Sequence, residues 1–86
     1  MGETKIQLHA RLASVETQRA IGRSLRGLRT DAGLSIAAVA REVGIDRSFL
    51  SRIERGNRAA SVAVLTGIAT VLGAELSVKA YPNTGP

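Results

Sequence analysis

The chain has 86 residues, enough for one small domain, and so little chain remains for a substrate cleft with its orienting shell that a self-contained enzyme is not expected. It has no cysteine, one histidine and two aromatic residues, Phe49 and Tyr81, which excludes disulfides, Cys- or His-built metal sites and base-stacking platforms, and no apolar run nears the roughly 20 residues of a membrane span. Twelve basic residues, ten of them Arg, against seven acidic ones give a net charge of +5, a balance that fits a polyanionic partner.

Residues 4–12 alternate: Ile6, Leu8, Ala10 and Leu12 are separated by Gln7, His9 and Arg11. A period of two predicts a half-buried strand or an extended arm over residues 1–13. From Ser14 the period changes. Ile21, Leu25, Leu28 and Ala32 fall in a stripe about 60° wide at 100° per residue. Arg19, Arg23 and Arg26 lie opposite that stripe, and Arg29 lies between the two faces. The pattern predicts a helix over 15–32, stopped by Gly33.

Ser35 is a natural cap for a second, short helix over 36–43, with Ile36, Val39, Ala40 and Val43 inward and Gly44 ending it. Asp46 is placed to cap a third over 47–55, ended by Gly56. After the loop Asn57-Arg58-Ala59-Ala60, Ser61 caps a fourth helix whose Leu65, Ile68, Ala69 and Leu72 share one face, and Gly73 closes it. Residues 75–81 alternate again, with Leu76, Val78 and Ala80 on one side, and predict a second strand before a Pro/Gly stub at 82–86. The domain is thus expected at 14–74, with an N-terminal arm or strand at 1–13 and a C-terminal strand and linker stub at 75–86. The two strands are expected to pair, most favourably at a homodimer interface.

Two short helices joined by a tight Gly-containing turn suggest a helix-turn-helix. The surface of the third helix carries more weight. With Arg47 at about 0°, Ser51, Arg55, Ser48 and Arg52 follow at about 40°, 80°, 100° and 140°, whereas Phe49, Ile53 and Leu50 sit at about 200°, 240° and 300°. Burying Leu50 and Ile53 must turn three guanidiniums and two hydroxyls outward. Arg donates bidentately to guanine O6 and N7, and Ser bonds a base edge or a phosphate, so this face suits a DNA major groove.

Leu25-Arg26, Arg29, Gly33-Leu34-Ser35, Val39-Ala40, Gly44-Ile45, Leu50-Ser51-Arg52-Ile53-Glu54-Arg55-Gly56, Leu65, Ile68-Ala69 and Leu72-Gly73 together resemble the Cro/phage-repressor, or XRE-type, helix-turn-helix family over residues 20–74. The resemblance implies a mainly α, compact domain of four to five helices; the alternating segments add short flanking N- and C-terminal β-strands. It implies base contacts from Arg47, Ser48, Ser51 and Arg52. Phosphate contacts are assigned to Arg55, Asn57, Arg58 and Arg41, and a structural ion pair to Arg29 with Glu54. The chain departs from the family at Ile36, where Gln is common, and at Ala60, where Pro is common.

The function these features support is sequence-specific binding of double-stranded DNA, with a palindromic operator as target and a homodimer as reader, in a transcriptional regulator of bacterial or phage type. No cofactor, metal or membrane partner is expected, and a cytoplasmic, nucleoid-associated place fits. The terminal Pro/Gly stub suits a linker into a further C-terminal domain. Other readings share the fold: an antitoxin, a restriction-modification controller, or a protein-interaction module of the bridging-factor type. Controllers are expected to be all-helical, so a strand at 75–81 counts against that reading.

Overall fold

A computed structural model describes residues 5–78 and Pro82, with side chains from Ser14 onward. Four helices follow in order: α1 (Lys5–Asp31), α2 (Ile36–Val43), α3 (Arg47–Glu54) and α4 (Val62–Val71). The three short helices match the apolar spacing of the sequence to within a residue or two.

Their ends follow from local chemistry. The Ser35 hydroxyl accepts the Ala38 N–H at 3.1 Å and the Ser61 hydroxyl accepts the Val64 N–H at 3.2 Å, capping α2 and α4. Asp46 has the extended backbone of an N-cap but makes no side-chain cap hydrogen bond, so α3 starts without the carboxylate help its sequence predicts. Gly44 leaves α2 at φ +82°, in the left-handed region where a Cβ would be strained, and this lets the chain turn into α3 within three residues.

One core joins the four helices. Leu25 of α1, Val39 and Ala40 of α2, Leu50 and Ile53 of α3, and Leu65, Ile68 and Ala69 of α4 are all buried. Leu50 and Ile68 are fully enclosed. The expected inward stripe of α1 is only partly buried: Leu25 is inside, Ile21 is half-buried, and Leu28 and Ala32 are exposed. Of the stripe's four residues, only Leu25 is fully covered by the other helices.

The flanking strands are not found among the described residues. Residues 5–13, expected to be extended, form the first turns of α1. Their alternation runs through Lys, Gln, Leu, Ala and Arg, all good helix formers, with Ile6 as the single β-branched residue among them. No breaker separates them from the amphipathic part, and a helix already nucleated downstream propagates through them more easily than it stops. Residues 74–78, expected to open a strand, have no regular secondary structure. With the N-terminal segment helical, they lack the neighbour that a strand needs to satisfy its edge. The expected pairing of the two segments is therefore not supported by the described residues. Thr4 and residues 79–81, the remaining parts of the two alternations, and residues 83–86 of the stub lie outside the described residues.

Candidate nucleic-acid interface

Eight residues make α3, and its two faces differ completely. Leu50 and Ile53 are buried, and Arg47, Ser48 and Arg52 are exposed together on the outside. Arg55, just past the helix, is also exposed, and its Nε donates to the Ser51 carbonyl at 3.4 Å. Asn57 and Arg58 are exposed in the loop that follows. The Asn57 N–H returns to the Arg52 carbonyl at 2.9 Å and fixes that loop against the end of α3.

Two of the expected contact residues stand apart from this exposed face. Ser51 is half-buried and lines a cleft with residues of α1 and α2 instead of standing at the centre of the outer face. Arg41 is exposed but stands apart from the α3 arginines, beside Leu34, Glu42 and Val71 in the space between α2 and α4.

What holds α3 in place is polar. Arg29 Nε donates to Glu54 Oε2 at 2.7 Å and Arg29 Nη2 to Glu54 Oε1 at 2.9 Å, a bidentate pair. The third donor, Nη1, reaches the Leu34 carbonyl at 2.9 Å. One guanidinium thus joins α1, the turn before α2 and the end of α3. The Glu54 side chain is only 4% exposed and that of Arg29 12%. The hydrogen bond to Glu54 raises the Arg29 pKa above its ordinary value, aided by the carboxylate's charge and opposed by burial.

Sequence reasoning missed two further contacts. A Cβ on Gly22 would lie 2.5 Å from the Ile53 carbonyl oxygen and 2.6 Å from that of Glu54, so α1 and the C-terminal turn of α3 touch backbone to backbone. The available signal was a glycine in a helix interior, which costs about 1 kcal/mol against Ala and so points to a packing reason. The second contact joins the Arg58 guanidinium to the Phe49 ring, 5.5 Å from the ring centroid, within cation–π range. Phe49 is half-buried against the core, so its ring both closes the core edge and carries an arginine of the loop.

Among the described residues, no group of three or more His, Cys, Asp or Glu side chains is placed to hold a metal ion. No helix of the described residues is long and apolar enough to cross a membrane.

Comparison with known proteins agrees with this geometry. A helix-turn-helix domain family matches residues 20–80. The clp gene regulator ClgR from Corynebacterium glutamicum is 31% identical with a TM-score of 0.67, over 67% of this chain and 62% of ClgR. The restriction-modification controller protein C.AhdI from Aeromonas hydrophila is 38% identical with a TM-score of 0.67, over 70% of this chain and 91% of the controller. An HTH_3 family transcriptional regulator from Vibrio cholerae is 35% identical with a TM-score of 0.68, over 72% of this chain but 35% of the regulator. The chain thus spans less than two thirds of ClgR and about a third of the Vibrio cholerae protein. No curated protein sequence matches.

Proposed function

The chain belongs to the helix-turn-helix domain family, in its Cro/phage-repressor (XRE-type) branch, and from that premise we propose that it is a transcriptional regulator that binds double-stranded DNA sequence-specifically, with α3 in the major groove. The observation that carries the reading is the split surface of α3: Arg47, Ser48 and Arg52 outside, Leu50 and Ile53 buried, and the helix tied to α1 through Arg29 and Glu54. A rigid helix presenting two guanidiniums and a hydroxyl in fixed register is what direct readout of base edges needs.

In this proposal Arg47 and Arg52 read bases with help from Ser48, and Arg55, Asn57 and Arg58 hold phosphates. Arg41, on another side of α2, serves as an outlying phosphate contact at most. A homodimer on a palindromic operator completes the proposal, because one short helix reads few base pairs and two copies read half-sites about one helical turn apart.

A second reading has its own support. This chain covers 91% of the controller C.AhdI, and the strand that counted against a controller is missing from residues 74–78. A controller and a conventional repressor share the DNA-reading step and differ in the genes they govern.

Selection of bound duplexes from a random pool tests the shared step. The expected result is an enriched sequence with dyad symmetry. Arg47→Ala or Arg52→Ala should each cost about 1–3 kcal/mol on that sequence and relax preference at one base pair. Unchanged preference in both variants would remove α3 as the reader.

A further inference from the structure

One turn of α1 meets the carboxyl end of α3 at two points. Gly22 presses on the Ile53 and Glu54 carbonyls, and Arg19, on the same face, meets Gly56, where the loop begins. Gly56 is buried, with φ at +74°. The place its side chain would take is filled by Arg19: a Cβ there would lie 2.6 Å from the Arg19 Cγ, 2.8 Å from its Cα and 3.2 Å from its Cβ. These atoms carry no charge and donate no hydrogen bond. The stem of Arg19 thus packs on Gly56 while the residue as a whole stays exposed, the usual division of a long charged side chain. Gly56 and Asn57 are also tied to α3, through N–H bonds to the Ile53 carbonyl at 3.0 Å and the Arg52 carbonyl at 2.9 Å. Further along, the loop and α1 border a hollow of about 390 Å³, whose lining includes Ser14 and Gln18 of the helix and Arg58, Ala59 and Ala60 of the loop.

We infer that Arg19 is a positioning residue for the loop that carries Asn57 and Arg58: its stem, not its charge, fixes where the loop leaves α3 and so where Arg58 meets the DNA backbone. The inference rests on the DNA-binding reading above and deepens it by a residue that acts through another. Glycine allows more backbone states than any other residue, so a turn at Gly56 keeps one geometry only if its surroundings impose it. The two N–H bonds and the Arg19 stem are those surroundings. The Arg58 side chain has an aromatic contact with Phe49, and such contacts are weak at exposed positions, so the backbone beneath it has to be set at the turn. A phosphate contact placed in advance fixes register without reading sequence.

Fluorescence-anisotropy titration of a random-sequence duplex at several salt concentrations tests the role. The intact chain is compared with Arg19→Ala, Arg19→Met, Arg58→Gln, the double variant Arg19→Ala/Arg58→Gln, and Arg23→Met at an exposed arginine one turn further along α1. Arg19→Met keeps the stem and removes the charge; Arg19→Ala removes both. Each phosphate contact contributes about 0.9 to the slope of log K against log salt. Arg58→Gln should flatten the slope by that amount. Arg19→Ala should flatten it as much and the double variant no further, because the two residues act in series. Arg19→Met should match Arg23→Met. Flattening by Arg19→Met as large as that by Arg19→Ala would make Arg19 a phosphate contact in its own right and overturn the positioning role. So would a loss of about two units in the double variant, or the parent's slope in Arg19→Ala or in Arg58→Gln. A second readout needs no DNA. The Asn57 N–H, bonded to the Arg52 carbonyl, should exchange with solvent faster in Arg19→Ala and at the parent's rate in Arg19→Met, with the Gly44 N–H unchanged in both, which marks the opening as local. Exchange at the parent's rate at Asn57 in Arg19→Ala would overturn the role whatever the duplex does. If the intact chain binds no duplex at any salt, the DNA-binding reading fails and takes the link to phosphate with it, whereas the exchange rates still decide whether Arg19 sets the loop.

Discussion

The α1–α3 seam and the α1–α4 side of the same molecule are built in opposite ways. At the seam, backbone meets backbone at Gly22, a bidentate ion pair joins Arg29 to Glu54, and Gly56 meets Arg19 so closely that a Cβ there would lie 2.6 Å from its Cγ. On the α4 side, residues 74–78 lie irregularly beside α1 between two open apolar hollows of about 300 and 390 Å³. Leu28, Val62 and Val78 stand 40%, 58% and 71% exposed there. The seam tolerates almost no change in shape, and the other side has room to spare. The difference is one of precision: α3 is fixed against α1 by contacts that cannot slide, as the proposed groove-reading role requires, and the opposite side needs only to cover the core.

The largest expected effect breaks the seam electrostatically. Glu54→Ala strands the Arg29 guanidinium in a mostly enclosed place, and removing one partner of a buried pair costs about 3–5 kcal/mol; the 12% exposure of Arg29 puts this case near the low end. Glu42→Ala, at an exposed position of α2, should stay within about 0.5 kcal/mol. Equal losses of thermal stability in the two variants would refute the ion pair as the tie.

Next comes a test of shape within one helix. Gly22→Ala drives a methyl into the α3 carbonyls and should destabilise by about 2–3 kcal/mol. Gly27→Ala, with nothing within 4 Å of its Cβ position, should instead stabilise by about 0.5–1 kcal/mol, because Ala loses less entropy in a helix. Denaturant midpoints that shift in opposite directions sharpen the contrast, and a Gly22 variant as stable as the parent would end it.

At the border of the two regions, Phe49→Leu removes the ring beneath Arg58 and keeps an apolar side chain at the core edge. A loss of about 0.5–1 kcal/mol in DNA affinity is expected, alike on all duplexes, with Phe49→Tyr close to the parent. A change in base preference would show that Phe49 itself meets the bases.

The smallest effect belongs to the open side. Val78→Ser should change folding stability by less than about 0.5 kcal/mol, since that side chain is mostly in solvent. Sedimentation of the same variant asks more: if the exposed apolar side is where two copies meet, association weakens although the fold does not. A marked loss of monomer stability would mean that the side is packed more tightly than its hollows imply.

The legible parts of this molecule were those decided locally. Ser35 and Ser61 cap helices because a hydroxyl before an amphipathic run satisfies a free N–H whatever surrounds it. Gly44 marks the turn between α2 and α3 because few other residues adopt its backbone angles. Leu50 and Ile53 are inward, and Arg47 and Arg52 outward, because a helix with one apolar face has one way to bury it. Pattern misled where two periods compete. Alternation over residues 4–12 has the period of a strand, but an unbroken run of helix formers continuous with an existing helix resolves it the other way.

By itself the sequence determined three short helices, their caps and turn, the buried stripe of α3 and the basic charge of its outer face, since each depends on neighbours within about four residues along the chain. The tertiary structure decided the rest. It let α1 run from Lys5 to Asp31, left Leu28 outside a stripe it belongs to by period, and turned Ser51 into a cleft with Arg26. It set Arg58 on the Phe49 ring and pressed Gly22 against the α3 backbone. All of these depend on how far apart two helix axes lie and where one helix stops covering another. That distance is set by the summed packing of many side chains remote in sequence, and no local pattern carries it.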